Sequence, residues 1–147
     1  MRTYARKLRI EWGDCDPAGI VFYPRYFAMF DASTALLFEH VLGMRTAEMI
    51  AAYGIVGIPM VDTRARFVVP SSYGDAVEIA SELTGFRRSS FDVRHRLLRD
   101  GELAVEGFET RVWAGRHPDD PTRLKAQPIP DAVRARFAGG AMPGVRR

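Results

Sequence analysis

The sequence of 147 residues predicts an α+β fold in which a curved antiparallel sheet of about five strands wraps one long helix. Three observations predict it. One strand-like segment precedes a single long stretch of helical period, about four consecutive segments of period two follow, and Gly or Pro punctuates the boundaries.

Ala5 to Trp12 reads as the first strand, and Gly13 to Ile20, with Gly13, Pro17 and Gly19 among two aspartates, reads as a loop. From Pro24 the apolar stripe Phe27, Phe30, Thr34, Leu37 and Val41 steps by three and four, widened by Phe38. Pro24 suits a first helical turn and Gly43 a stop, which gives a helix of about 18 residues, roughly 27 Å long. Thr46 to Tyr53 reads as a shorter second helix. Val61 to Val69, Val77 to Leu83 and Phe91 to Leu97 then alternate apolar with polar residues, and Leu103 to Ala114 closes the set. Asp100-Gly101 supplies a tight hairpin between the last two strands. A short helix is expected at Asp131 to Phe137, in a Pro-rich extension.

The organisation expected is one domain over 1–147, with its core at about 5–115, an extension over 116–147 and disorder in the last eight or so residues. A hydrophobic fraction of 47% with 27% charged residues is that of a globular chain, and no apolar run approaches a membrane span. The N-terminus shows no apolar stretch of a secretory leader, so a cytoplasmic location is expected. Cys15 is the single cysteine, and His40, His95 and His117 are scattered, so neither an internal disulfide nor a structural metal is expected. The net charge of +3 rests mainly on arginine, which suits an anionic ligand. Opposite charges are interspersed along the chain, so nucleic acid is not the expected partner.

The densest chemistry lies in Glu11-Trp12-Gly13-Asp14-Cys15-Asp16-Pro17-Ala18-Gly19-Ile20-Val21-Phe22-Tyr23-Pro24, a strand end, an acidic loop and a helix start. A carboxylate ahead of free helix N–H groups suits acyl transfer: the carboxylate attacks or activates water, and the N–H groups hold the oxyanion. The same aspartates suit plain turn capping, and both readings stand at this point. A divalent-metal motif at Asp14-Cys15-Asp16 lacks a further acidic ligand nearby. Cys15, between two carboxylates, is disfavoured as a thiolate. Asp31 falls on the helix's otherwise apolar face, either at the stripe's edge or facing a pocket, and His95 reads as a hydrogen-bonded core histidine.

Gly13-Asp14-Cys15-Asp16-Pro17-Ala18-Gly19-Ile20-Val21-Phe22-Tyr23-Pro24-Arg25-Tyr26-Phe27 resembles the signature of the hot-dog-fold acyl-CoA thioesterases, and closely the 4-hydroxybenzoyl-CoA thioesterase branch. The likeness continues through Gly54-Ile55-Val56-Gly57-Ile58-Pro59, Ser72-Tyr73-Gly74-Asp75 and Arg87-Arg88-Ser89-Ser90. The resemblance implies a helix enclosed by a curved sheet, homodimers or homotetramers with active sites between subunits, and hydrolysis of an aromatic acyl-CoA without metal or organic cofactor. It implies Asp16 as nucleophile or general base, the backbone N–H of Tyr23 as oxyanion donor, and Arg87, Arg88 and Ser90 as contacts for the CoA phosphates. Ser89 stands at a position where a lysine occurs in some members of the family that the sequence resembles. Two other functions fit the sequence: hydrolysis of short-chain or branched acyl-CoA on the same fold, and non-catalytic binding of CoA or nucleotides. Asp31 is expected to line the acyl pocket, buried and satisfied by a ring hydroxyl of the substrate.

Overall fold

The computed structural model describes residues 1–139, so the expectation of terminal disorder falls outside the described residues. The first strand, β1 (Thr3–Arg9), ends at Arg9 rather than Trp12. The reason is a reciprocal capping box between Glu11 and Asp14, which draws Trp12–Asp14 into a 3-10 turn. The long helix α1 (Pro24–Leu42) opens on Pro24 and stops at Gly43, whose φ of 70° supplies the left-handed cap. Helix α2 spans Thr46–Tyr53. Four strands follow: β2 (Met60–Phe67), β3 (Ala76–Phe86), β4 (Ser90–Arg99) and β5 (Glu102–Val112).

These strands and β1 form one antiparallel sheet in the order β1-β3-β4-β5-β2. Register shifts at Met60/Asp62, Leu83/Gly85 and Leu97/Leu98 add local twist and let the sheet curve. Into its concave face α1 presses Tyr26, Met29, Phe30, Ser33, Thr34, Leu37, Phe38, Val41 and Leu42. The stripe thus begins at Tyr26, and Phe27 sits half-buried at its flank. The sheet answers with Val77, Ile79 and Leu83 from β3 and Phe91, Val93, His95 and Leu97 from β4, the faces that the period-two pattern marks. Gly107 of β5 faces Phe30 so closely that a Cβ there would lie 2.5 Å from the ring. Arg6 of β1 ties the sheet edge to the helix by donating to Ser33 Oγ at 2.9 Å and to the Met29 carbonyl at 2.8 Å.

The C-terminal segment is more than an appendage to a 5–115 core. After the short hairpin β6 (Ala114–Arg116) and β7 (Leu124–Ala126), helix α3 (Asp131–Phe137) joins that core. Ile129, Val133 and Phe137, spaced by four, are buried in the same cluster as Phe38 and Phe91. No helix among the described residues is long and apolar enough to cross a membrane.

Candidate active site

The acidic loop sits between β1 and α1 and is sewn to the segment before β3. The Val21 N–H donates to the Ser71 carbonyl at 2.9 Å, and Ile20 bridges Ser72. Asp14 is spent on structure. Its Oδ2 accepts the Glu11 N–H at 2.8 Å and its carbonyl accepts the Phe22 N–H at 2.8 Å, which is the capping reading. Asp16 is held differently. Its N–H donates to the Ile20 carbonyl and its own carbonyl accepts the Gly19 N–H, both at 2.9 Å, with Gly19 at a φ of 83° closing the turn. Oδ1 accepts the Ala18 N–H at 2.8 Å, and Oδ2 has no partner among the described residues. One oxygen anchors the side chain while the other stays open.

Tyr23 caps α1 with helical dihedrals of −51° and −35°. The N–H groups of Arg25 and Tyr26 donate to the Phe22 and Tyr23 carbonyls, and Pro24 has none to give. The Tyr23 N–H has no acceptor among the described residues, which leaves it as a donor at the positive end of the helix dipole. Beside it lies an apolar cavity of about 300 Å³ between the helix start and the end of β2, lined by Tyr26, Phe67 and Val69 among others.

The turn between β3 and β4 brings Arg87 and Ser90 together, with Arg87 Nε donating to Ser90 Oγ at 2.7 Å. Arg87 spends its terminal nitrogens on Asp92, and that fork holds the Asp92 carboxyl below its ordinary range. Arg88 is exposed, and its guanidinium has no partner among the described residues. Arg134 of α3 braces the turn from behind. It donates to the carbonyls of Arg87 and Arg88, and the Ile129 N–H donates to the Arg88 carbonyl at 2.9 Å.

Asp31 is not buried as expected: its side chain is 67% exposed, and its hydrogen-bond donor is a protein group, Arg111 Nη2 at 2.8 Å. The position on α1 is the edge of the apolar stripe, where a carboxylate keeps contact with water. It stands at the rim of a cavity of about 450 Å³ between α1, α2 and the segment before β2. Asp16 lines neither this cavity nor the smaller one within a protomer.

Sequence reasoning missed Glu109 and Arg111. They lie on the inward face of β5, buried, with the Thr34 hydroxyl donating to Glu109 Oε2 at 2.6 Å. Burial alone would raise the Glu109 pKa, but hydrogen bonds from His95 and Arg111 outweigh it and bring it down to about 2. His95 is the satisfied core histidine expected, with Nδ1 2.7 Å from Ser81 Oγ and its ring stacked on Phe30. The parity of β5 was the available signal: with Val105 inward, positions 107, 109 and 111 are inward too. Among the described residues, no three His, Cys, Asp or Glu side chains come together as metal ligands do.

A helix clasped by a curved antiparallel sheet, with a carboxylate loop ahead of the helix, defines a class, and the chain belongs to the Thioesterase-like superfamily, whose pattern it matches over residues 10–137. It is 37% identical over 134 residues to the 4-hydroxybenzoyl-CoA thioesterase of Pseudomonas sp. strain CBS-3, covering 88% of this chain and 93% of that one. A solved structure of an aspartate-to-asparagine variant of 4-hydroxybenzoyl-CoA thioesterase, complexed with 4-hydroxybenzoyl-CoA, aligns with a TM-score of 0.85 and 34% identity over 93% of this chain and 99% of that one. A gentisyl-coenzyme A thioesterase aligns with a TM-score of 0.78 and 30% identity over 91% of this chain and 99% of that one.

Proposed function

We propose that this protein hydrolyses an aromatic acyl-CoA of the 4-hydroxybenzoyl type to the free acid and CoA. The observation that carries the proposal is Asp16, whose open Oδ2 is presented on the loop leading to the unoccupied Tyr23 N–H. The relatives named for aryl-CoA hydrolysis support the substrate class.

In this reading the Tyr23 N–H receives the thioester oxygen as it becomes an oxyanion. Asp16 then acts by one of two routes: it attacks the carbonyl carbon and expels the CoA thiolate, leaving an anhydride that water cleaves, or it takes a proton from the water that attacks. Either way one water is consumed, the C–S bond breaks, and the acid and the thiol leave. Arg87, Arg88 and Ser90 receive the CoA phosphates.

The working unit of the proposal is a homodimer or a homotetramer built from dimers. Strand β2 is a sheet edge exposed along most of its length, with Val61 60% and Phe67 50% exposed, as an edge awaiting another sheet would be. Pairing there supports a site shared between protomers, with Asp16 of one serving the Asp31 cavity of the other. CoA esters are intracellular metabolites, and the cytoplasm is the location proposed.

Thiol release from 4-hydroxybenzoyl-, benzoyl- and butyryl-CoA tests the reading. Faster turnover of the aryl esters is expected. Preference for butyryl-CoA would make this a short-chain thioesterase, and binding without thiol release from any ester would make it a CoA-binding module.

A further inference from the structure

The inward face of β5 carries two charges that neither the Asp16 loop nor the arginine turn uses. Glu109 and Arg111 have side chains 1% and 7% exposed. A buried ion pair is a weak means of stabilising a core, because desolvating both charges offsets most of their attraction. Its arrangement points to another use. Arg111 Nε donates to Glu109 Oε2 at 2.9 Å and Nη2 to Oε1 at 3.2 Å, while Nη1 donates to the Ile58 carbonyl at 3.2 Å. With those contacts made, Nη2 also reaches Asp31 Oδ1 at 2.8 Å.

Glu109 is itself held. The single proton of the Thr34 hydroxyl goes to Glu109 Oε2 at 2.6 Å, so His95 Nε2, 3.1 Å from Thr34 Oγ1, must be the donor in that contact. His95 Nε2 also lies 3.3 Å from Glu109 Oε1. The ring is clamped by Ser81 on its other nitrogen and by Phe30 on its face, with centroids 4.9 Å apart and planes within 3°. Rotating any member breaks a buried hydrogen bond. The chain of contacts ends at Asp31, on the rim of a cavity of about 450 Å³ whose other walls are mainly apolar, among them Phe38, Met49, Ile50 and Pro59.

We infer that Arg111, seated on Glu109, is a positioning residue: it fixes the Asp31 carboxylate with Oδ1 occupied and Oδ2 free to accept, so that the cavity selects acyl groups ending in a neutral hydrogen-bond donor and rejects those ending in an anion. The inference rests on the aryl-CoA reading. Glu109, Arg111 and Asp31 together carry one net negative charge, which disfavours a second carboxylate at the rim and favours a hydroxyl or an aryl amine.

The test is kcat/KM for 4-hydroxybenzoyl-, benzoyl- and 4-carboxybenzoyl-CoA in the wild type, Arg111→Lys, Asp31→Ala and the double variant. In the wild type the hydroxylated ester should exceed benzoyl-CoA by roughly 10 to 100-fold, and the carboxylated ester should be slowest. Arg111→Lys keeps the charge but loses the fork, and should narrow the hydroxyl-to-benzoyl ratio by about fivefold or more. Added to Asp31→Ala it should narrow the ratio no further, because both residues act through one carboxylate. A merely structural arginine would slow both esters in proportion, so an unchanged ratio overturns the inference, as do independent, multiplying effects in the double variant. Should Arg111→Lys fail to fold, the charge-balanced pair Arg111→Gln with Glu109→Gln is read the same way, and the wild-type order of the three esters stands as a test needing no variant. A wild type that hydrolyses both uncharged aryl esters equally overturns this inference and leaves the proposed function standing. Failure to hydrolyse any aryl ester overturns both.

Discussion

Arg87 holds Asp92 with both terminal nitrogens, Nη1 at 2.8 Å from Oδ2 and Nη2 at 2.9 Å from Oδ1. Within the turn this arginine is therefore engaged by the protein itself, whereas the guanidinium of its neighbour Arg88 has no partner among the described residues. Under the proposed function, a CoA phosphate would have to draw Arg87 away from Asp92 but would meet Arg88 directly.

Arg88→Ala should consequently raise KM for CoA esters by roughly 10-fold, the scale of one lost charge-assisted hydrogen bond, and Arg87→Ala should raise it less. Such remote contacts are made in ground and transition states alike, so kcat should fall less than KM rises. Steady-state kinetics on the full ester and on a truncated thioester lacking the nucleotide check this: the penalty should vanish with the truncated substrate. Equal penalties on both would assign the arginines to stability.

Gly107→Ala should destabilise the fold by about 1 to 3 kcal/mol, because the new Cβ would fall 2.5 Å from the Phe30 ring, which is itself packed against His95. The urea midpoint reads the loss. A midpoint equal to the wild type's would show that Phe30 yields freely and that the close approach is not needed.

Glu109 gives stability a pH dependence of definite sign. Its folded-state pKa, about 2 against 4.5, is depressed, so its contribution is fully present above 4.5 and is lost as pH falls from there toward 2. The shift corresponds to something on the order of 3 kcal/mol. Urea unfolding at pH 7 and pH 3 should show about 2 kcal/mol of that loss in the wild type, since pH 3 still lies above the folded-state value, and a much smaller loss in Glu109→Gln, which cannot titrate. Parallel losses in both proteins would place the acid sensitivity elsewhere.

Much of the architecture was legible because its signals are periodic. Pro24, Gly43 and the spacing of apolar residues between them located α1, and Asp100-Gly101 located the β4–β5 hairpin, where both residues have positive φ. The end of β1 was not legible, because a capping box formed by two side chains overrides the strand pattern at Trp12. The packing of α3 was hidden by prolines that obscure the stripe Ile129, Val133 and Phe137. At the site, the motif around Asp16 singled out the loop but could not show that Asp14 is engaged in capping while Asp16 Oδ2 stays open. For Asp31 the sequence left the stripe's edge and a pocket both open; the side chain is 67% exposed, and its donor, Arg111, lies 80 positions away on β5, a pairing visible only once α1 packs against the sheet.

The assignment of the chemistry to Asp16 stands or falls on turnover of 4-hydroxybenzoyl-CoA by Asp16→Asn, measured beside Asp14→Asn. The amide can still accept the Ala18 N–H that Oδ1 now accepts at 2.8 Å, so the loop and substrate binding should persist while attack and proton transfer are lost. If Asp16 is the nucleophile or base, kcat should be at least ~100-fold lower in Asp16→Asn with nearly unchanged binding by calorimetry, and the loss in Asp14→Asn should be far smaller. Near-normal kcat in Asp16→Asn, or equal losses in the two variants, would contradict it.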